Sequence, residues 1–148
     1  MTYKTIFSAL FTLIFIVFTS VSSNAQETTF TDVEFTGVFG GTVYDGSFYT
    51  APSGSQSWGG FANEDVSLYP LSFVDGGLIT FTGATSGTDA EVYFRFEYNP
   101  YPDTEPSFNT LPVTVSGVDG ASYSIVIPSQ GTNTYSSFLL YVSTIDSP

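Results

Sequence analysis

DAEVYFRFEYNPYPD, residues Asp89–Asp103, alternates at strand period. Val92, Phe94, Phe96 and Tyr98 fall on one face, and Tyr93, Arg95, Glu97 and Asn99 on the other. The first face is a run of core hydrophobes. The second carries an aromatic ring, a guanidinium, a carboxylate and an amide. Such a strand belongs at the centre of a β-sandwich, with its polar face turned to a ligand.

The segments on either side repeat the strand rhythm. Gly77–Gly83 (GLITFTG) sets Ile79 and Phe81 against Thr80 and Thr82. Pro112–Ser116 and Ser122–Pro128 read as strands around the turn Gly117–Gly120, and Asn99–Leu111, with three prolines, reads as a loop. Ser136–Thr144 (SSFLLYVST) is apolar on both sides, which predicts a strand buried on both faces.

Upstream, Gln26–Thr36 alternates and predicts an opening strand at a sheet edge. Gly40–Pro52 holds two β-rich runs around Asp45-Gly46, the signature of a hairpin whose two central residues take positive φ. Ser53–Phe73 breaks the rhythm. It contains the single Trp of the chain, two glycines beside it, and then Asn63-Glu64-Asp65. Pro70 argues against a central strand, so a long ordered loop with one short strand is expected. About eight short strands separated by turn signals predict an all-β, antiparallel sandwich of jelly-roll type.

Residues 1–25 read as a secretory signal: Lys4, then the apolar run Ile6–Phe18, then the small-residue site Ser23-Asn24-Ala25. The alternative is a buried first strand or an uncleaved anchor. The run is shorter than the ~20 residues that span a bilayer, so no membrane insertion is expected after cleavage. Residues 26–148 then form the sandwich domain, secreted or held at the cell surface. The chain has no Cys, so this domain holds together without disulfides.

Cleavage after Ala25 leaves fourteen carboxylates against Arg95 alone, a net charge of −13. Polyanions are repelled by such a surface, so nucleic acid is not an expected partner. Neutral ligands and cations remain. Most of the carboxylates serve solubility.

Three pieces of the chain carry a resemblance: Ser57–Phe73 (SWGGFANEDVSLYPLSF), Glu91–Thr110 (EVYFRFEYNPYPDTEPSFNT) and Tyr123–Thr144 (YSIVIPSQGTNTYSSFLLYVST). Together they resemble carbohydrate-binding-module-like jelly-roll domains of secreted bacterial polysaccharide-degrading proteins. The likeness implies glycan binding and an appended catalytic domain outside this chain. In such modules a final strand follows the last apolar one, and on that reading residues 26–148 lack it.

The residues themselves limit the chemistry. Without His or Cys there is no imidazole acid–base chemistry, thiol nucleophile or common zinc site. Gly37-Val38-Phe39-Gly40-Gly41 precedes no helix and is no phosphate loop. A glycosidase pair would draw Glu64 or Asp65 together with Glu97, but a small sandwich offers little room for a cleft, and no catalysis is expected.

Sugar binding asks for a flat ring and a few fixed polar groups. Trp58 is the candidate platform, with Tyr93, Tyr98 or Tyr101 opposite, and Arg95, Glu97 and Asn99 as donors and acceptors. Each has a plainer reading. Trp58 suits the core equally well, Arg95 and Glu97 suit a structural ion pair, and Tyr101 suits ordinary surface. Asn63-Glu64-Asp65 is either a loop cap or part of an oxygen-ligand structural calcium site. The function expected is non-catalytic binding of a neutral polysaccharide. The alternative is a cell-surface structural or adhesion module with a protein partner.

Overall fold

The alternation read in Asp89–Asp103 becomes the middle of a sheet. The computed structural model describes residues 9–17 and 28–144. In chain order the strands are β1 (Ala9–Val17), β2 (Thr29–Thr31), β3 (Gly37–Phe39), β4 (Val43–Tyr44), β5 (Phe48–Thr50), β6 (Gly60–Ala62) and β7 (Leu71–Ser72). They continue as β8 (Gly77–Thr85), β9 (Ala90–Glu97), β10 (Ser107–Asn109), β11 (Val113–Val115), β12 (Ala121–Ile127), β13 (Thr134–Tyr135) and β14 (Ser137–Thr144). One 3-10 turn, Val66–Leu68, separates β6 from β7. Among the described residues no helix is long and apolar enough to cross a membrane.

The strands pair antiparallel. One sheet runs β12-β8-β1-β5-β4, with β2 also on β1, and the other runs β10-β9-β14-β6-β3, with β11 also on β9. β13 and β7 pair with each other outside these two ladders, and their Tyr135 and Leu71 are buried in the same core. The chain is thus an all-β antiparallel sandwich, as expected. It has more strands than the roughly eight read from periodicity, because several pair over only two or three residues. Runs that short carry no readable period.

β9 is flanked by β14 along its full length, from Ser137↔Glu97 to Thr144↔Ala90. Its inward residues Val92, Phe94 and Phe96 are fully buried, and they meet Phe138 and Leu140 of β14. Ile79 and Phe81 of β8, Ile125 and Ile127 of β12, and Tyr49 of β5 close the core from the other sheet. Phe96 and Phe138 stack with centroids 4.4 Å apart, and Phe35 meets Phe138 edge-on at 4.9 Å. Burying a side chain of this size contributes roughly 1.5–3 kcal/mol, which is how a chain without disulfides offsets its ordering entropy.

Several local expectations change. Tyr98 does not continue the core face and is substantially exposed. β9 ends at Glu97, and the Tyr98 amide turns to the carbonyls of Thr104 and Pro106, so the two-residue period stops there. Among the described residues of the predicted opening strand, Thr29–Thr31 pair and the rest do not; Val33 and Phe35 are buried as the chain crosses from one sheet to β3 of the other. The hairpin at Asp45-Gly46 forms, with Val43↔Thr50 and Tyr44↔Tyr49 paired. Only Gly46 takes positive φ, because the Asp45 carboxylate accepts from the amides of Ser47 and Phe48 and turns the chain itself. Ser53–Phe73 is more regular than expected, holding β6, the 3-10 turn and β7.

Candidate functional site

The outer face of the β9–β14–β6–β3 sheet is built from alternation and from small residues. Tyr93 and Arg95 of β9 stand on it, and on β14 the residues between Phe138, Leu140 and Val142 are Leu139 and Tyr141. Glycine occupies position 60 for a steric reason. A Cβ there would lie 2.9 Å from the Leu140 carbonyl oxygen, 2.9 Å from Phe39 Cζ and 3.0 Å from Tyr141 Cδ1. Without a side chain at that point, the Phe39 and Tyr141 rings close over β6.

These rings form a line across the sheet. Tyr93 and Tyr141 stack at 4.9 Å with planes 6° apart. Tyr141 meets Phe39 edge-on at 6.0 Å. Phe39 lies parallel to Trp58, 6.5 Å away at 8°. Trp58 is 60% exposed, so it is a surface ring braced from one side and not a core residue.

The loop that carries Trp58 is tied down by its backbone. The Gln56 amide donates to the Gly40 carbonyl at 2.7 Å, the Gly59 amide to the Gln56 carbonyl at 2.9 Å, and the Ser55 hydroxyl to the Gly41 carbonyl at 2.9 Å. Gly40 has φ +70°, and a Cβ on it would come within 2.4 Å of Gly59 Cα. The buried Thr42 hydroxyl donates to the Phe39 and Gly60 carbonyls. A ring held this way loses little freedom when a ligand stacks on it.

A groove of about 950 Å³ runs beside Trp58. Ala62, Leu139 and Tyr141 contribute apolar lining, Tyr101 and Pro100 come from the β9–β10 connection, and Asn63, Glu64, Glu97, Thr104, Ser136 and Ser137 add polar groups. Tyr101 is 88% exposed. Its loop closes on itself through the Asn99 amide to the Asp103 carbonyl, the Asp103 amide to the Pro100 carbonyl, and the Asn99 side-chain amide to the Asp103 carboxylate.

The seven residues named from sequence therefore divide, and Tyr98 is not among those that line the groove. Trp58, Glu97 and Tyr101 line one groove. Tyr93 extends the aromatic line through Tyr141. Asn99 is engaged with Asp103. Arg95 is committed to its neighbours: Nε donates to Glu97 Oε1 at 2.7 Å, Nη1 to Asn109 Oδ1 at 3.1 Å and Nη2 to Ser107 Oγ at 2.8 Å, with Glu105 at 3.8 Å. Glu97 is buried and also accepts from the Ser137 hydroxyl at 3.2 Å. The structural ion pair anticipated for these two residues is present.

Asn63, Glu64 and Asp65 are likewise engaged in holding the loop. The Asn63 side chain donates to the Glu34 carbonyl and accepts from the Tyr69 hydroxyl, and Glu64 accepts from the Thr36 hydroxyl. Asp65 caps the 3-10 turn, accepting from the Ser67 amide and hydroxyl, and these bonds lower its pKa. Among the described residues no three acidic side chains converge as a metal cage would require. No buried side-chain polar atom among them lacks a hydrogen-bond partner.

Burial raises the Tyr141 phenol, and the neighbouring Tyr93 and Glu97 add to the effect. Burial also raises Tyr93, opposed by Arg95. Both are neutral phenols at physiological pH.

Sequence reading misses Phe39, Leu139 and Tyr141. Phe39 sits in a glycine cluster with no strand period of its own. Leu139 and Tyr141 alternate with Phe138 and Leu140, but both faces of that strand are apolar, so nothing local distinguishes the groove side. No family model, curated protein or solved structure matches the chain.

Proposed function

We propose that this chain is a secreted or cell-surface, non-catalytic jelly-roll module that binds a neutral polysaccharide in the groove beside Trp58. The observation that carries the reading is the pairing of an exposed, braced indole with a mostly apolar groove whose rings are edged by the hydroxyls of Thr104, Ser136 and Ser137 and the Asn63 amide. Pyranose rings present flat C–H faces edged by hydroxyls, and this is the surface they fit. Charge supports a neutral ligand. The Arg95 guanidinium on this side of the sheet is held by Glu97, Asn109 and Ser107, so the two charges of that pair offset each other, while Glu64 repels uronates and sulfates.

Half an indole face covers roughly 100 Å², worth about 2.5 kcal/mol, and each net hydrogen bond adds about 1 kcal/mol. Against several kcal/mol for association, this places Kd in the micromolar to millimolar range, which suits a module acting by avidity on a polymer. Non-catalytic action is favoured because Glu97 is clamped by Arg95 and Ser137 and Glu64 is bonded to Thr36.

Affinity electrophoresis through a panel of neutral polysaccharides tests the reading. The wild-type chain is retarded by at least one of them, and Trp58→Ala and Tyr101→Ala each lose that retardation while keeping the wild-type far-UV spectrum. Retention unchanged in both variants would remove the groove from the binding site.

A further inference from the structure

Along β14 the side chains on the groove side come two residues apart and change character in steps. Tyr141 stands at one end, edge-on to Phe39, which braces Trp58. Leu139 follows, with Ala62 of β6 directly opposite it in the register. Ser137 comes last, bonded to Glu97 of β9. Residues on one face of a strand lie about 6.7 Å apart. Rings, an aliphatic pair and hydroxyls therefore occupy consecutive stretches of a single groove. Val66, 84% exposed on the 3-10 turn, adds another aliphatic group to the lining.

Most polar groups of the lining are already engaged. The Asn63 side chain donates to the Glu34 carbonyl and accepts from the Asp65 amide and the Tyr69 hydroxyl. The Ser137 hydroxyl donates to Glu97, whose carboxylate also holds Arg95, and Glu64 accepts from Thr36. This leaves the hydroxyls of Thr104 and Ser136, which make no hydrogen bond among the described residues.

Such a lining suits a bare pyranose chain poorly. A sugar hydroxyl carried onto Leu139 and Ala62 loses water and gains no partner. A short acyl group does the reverse. Its methyl covers the aliphatic pair, and its carbonyl oxygen asks for one donor, a role open to the Ser136 or Thr104 hydroxyl. A ring stacked at the aromatic end holds a substituent one strand step away, over Leu139 and Ala62.

We propose that the groove selects a neutral polysaccharide whose units carry acetyl groups, as O-esters or N-amides, with the acetyl methyl against Leu139, Ala62 and Val66. The proposal rests on the glycan reading of this groove and adds the substituent that the reading leaves open. The ligand stays uncharged, in keeping with the acidic chain.

Titration calorimetry on the exported chain tests it with matched probes. O-acetylated xylo- and manno-oligosaccharides are compared with their alkali-deacetylated forms, and N-acetylglucosamine oligomers with glucose oligomers of the same length and linkage. The acetylated member of at least one pair should bind about fivefold or more tightly, the gain from covering a methyl and sparing a hydroxyl. The pair that shows the difference tells ester from amide. Ala62→Ser and Val66→Ser wet the aliphatic stretch and should each shrink the ratio, with the far-UV spectrum unchanged. Val66 is exposed, so its replacement leaves the core intact.

Equal affinity within every pair would overturn this proposal and leave the glycan reading standing. A ratio indifferent to both serine variants would overturn it as well, because the acetyl group then lies elsewhere. Failure of every probe to bind would remove the proposal and the glycan reading together.

Discussion

Arg95 Nε donates to Glu97 Oε1 at 2.7 Å, two residues along the same face of β9. Glu97 is buried, and Arg95 reaches across to Ser107 and Asn109 of β10. The register explains the contact, since Glu97 pairs with Ser107 and Arg95 with Asn109. Arg95→Ala therefore strips a buried carboxylate of its countercharge and leaves it the Ser137 hydroxyl. We expect a loss of about 2–3 kcal/mol in urea unfolding. Arg95→Ala combined with Glu97→Gln should lose less than the sum of the two single changes, because the stranded charge is gone.

The Gly60 position tests whether the aromatic line depends on close backbone approach. Gly60→Ala places a methyl against the Leu140 carbonyl and the Phe39 and Tyr141 rings. The expected outcome is a destabilisation of about 1–3 kcal/mol together with weakened glycan retention, as the rings shift. Gly46→Ala is the control. Its φ is +92° but nothing lies within 4 Å, so it should cost about 1 kcal/mol and leave retention intact.

Thr110 bridges the break between β10 and β11. Its hydroxyl accepts from the Phe94 amide at 3.0 Å, and its own amide donates to the Phe94 carbonyl at 2.8 Å. Phe94 is fully buried, so no water replaces the hydroxyl. Thr110→Val should cost about 1–3 kcal/mol and speed exchange of the Phe94 amide. Thr110→Ser should retain most of the stability.

Alkaline pH should unfold the domain. Burial raises the phenols of Tyr49 and Tyr69 well above the ordinary 10.0, and raises Tyr93, Tyr135 and Tyr141 in the same direction. The folded state then holds protons that the unfolded chain has released. Stability is complete below about pH 10 and falls as pH rises from there through the raised values. Thermal melts between pH 8 and pH 11 check this, with Tyr49→Phe reducing the slope. That variant also loses the hydroxyl that accepts from the Phe35 amide at 3.2 Å, and so starts less stable.

Local geometry is legible in the chain because strand period is a property of the backbone. Val92, Phe94 and Phe96 on one face, Arg95 beside Glu97 on the other, and the strand at Gly77–Gly83 all follow from a repeat of two. So does the all-β class, from residues that favour a half-buried pleated surface. The chain marks Trp58 as the sole indole but does not say whether it stands in the core or at the surface.

Tertiary structure decided that question and the rest of the site. The Trp58 ring is braced by Phe39, and Tyr141 reaches Tyr93, only because β3, β6, β14 and β9 lie side by side in an order the chain does not spell out. Arg95 is occupied by Ser107 and Asn109 because β10 pairs in one register; a shift by one residue would turn those side chains to the opposite face. Period arises between adjacent peptide units, whereas register is settled by which distant strands bury their apolar faces together. That is why the elements were readable in the sequence and the groove was not.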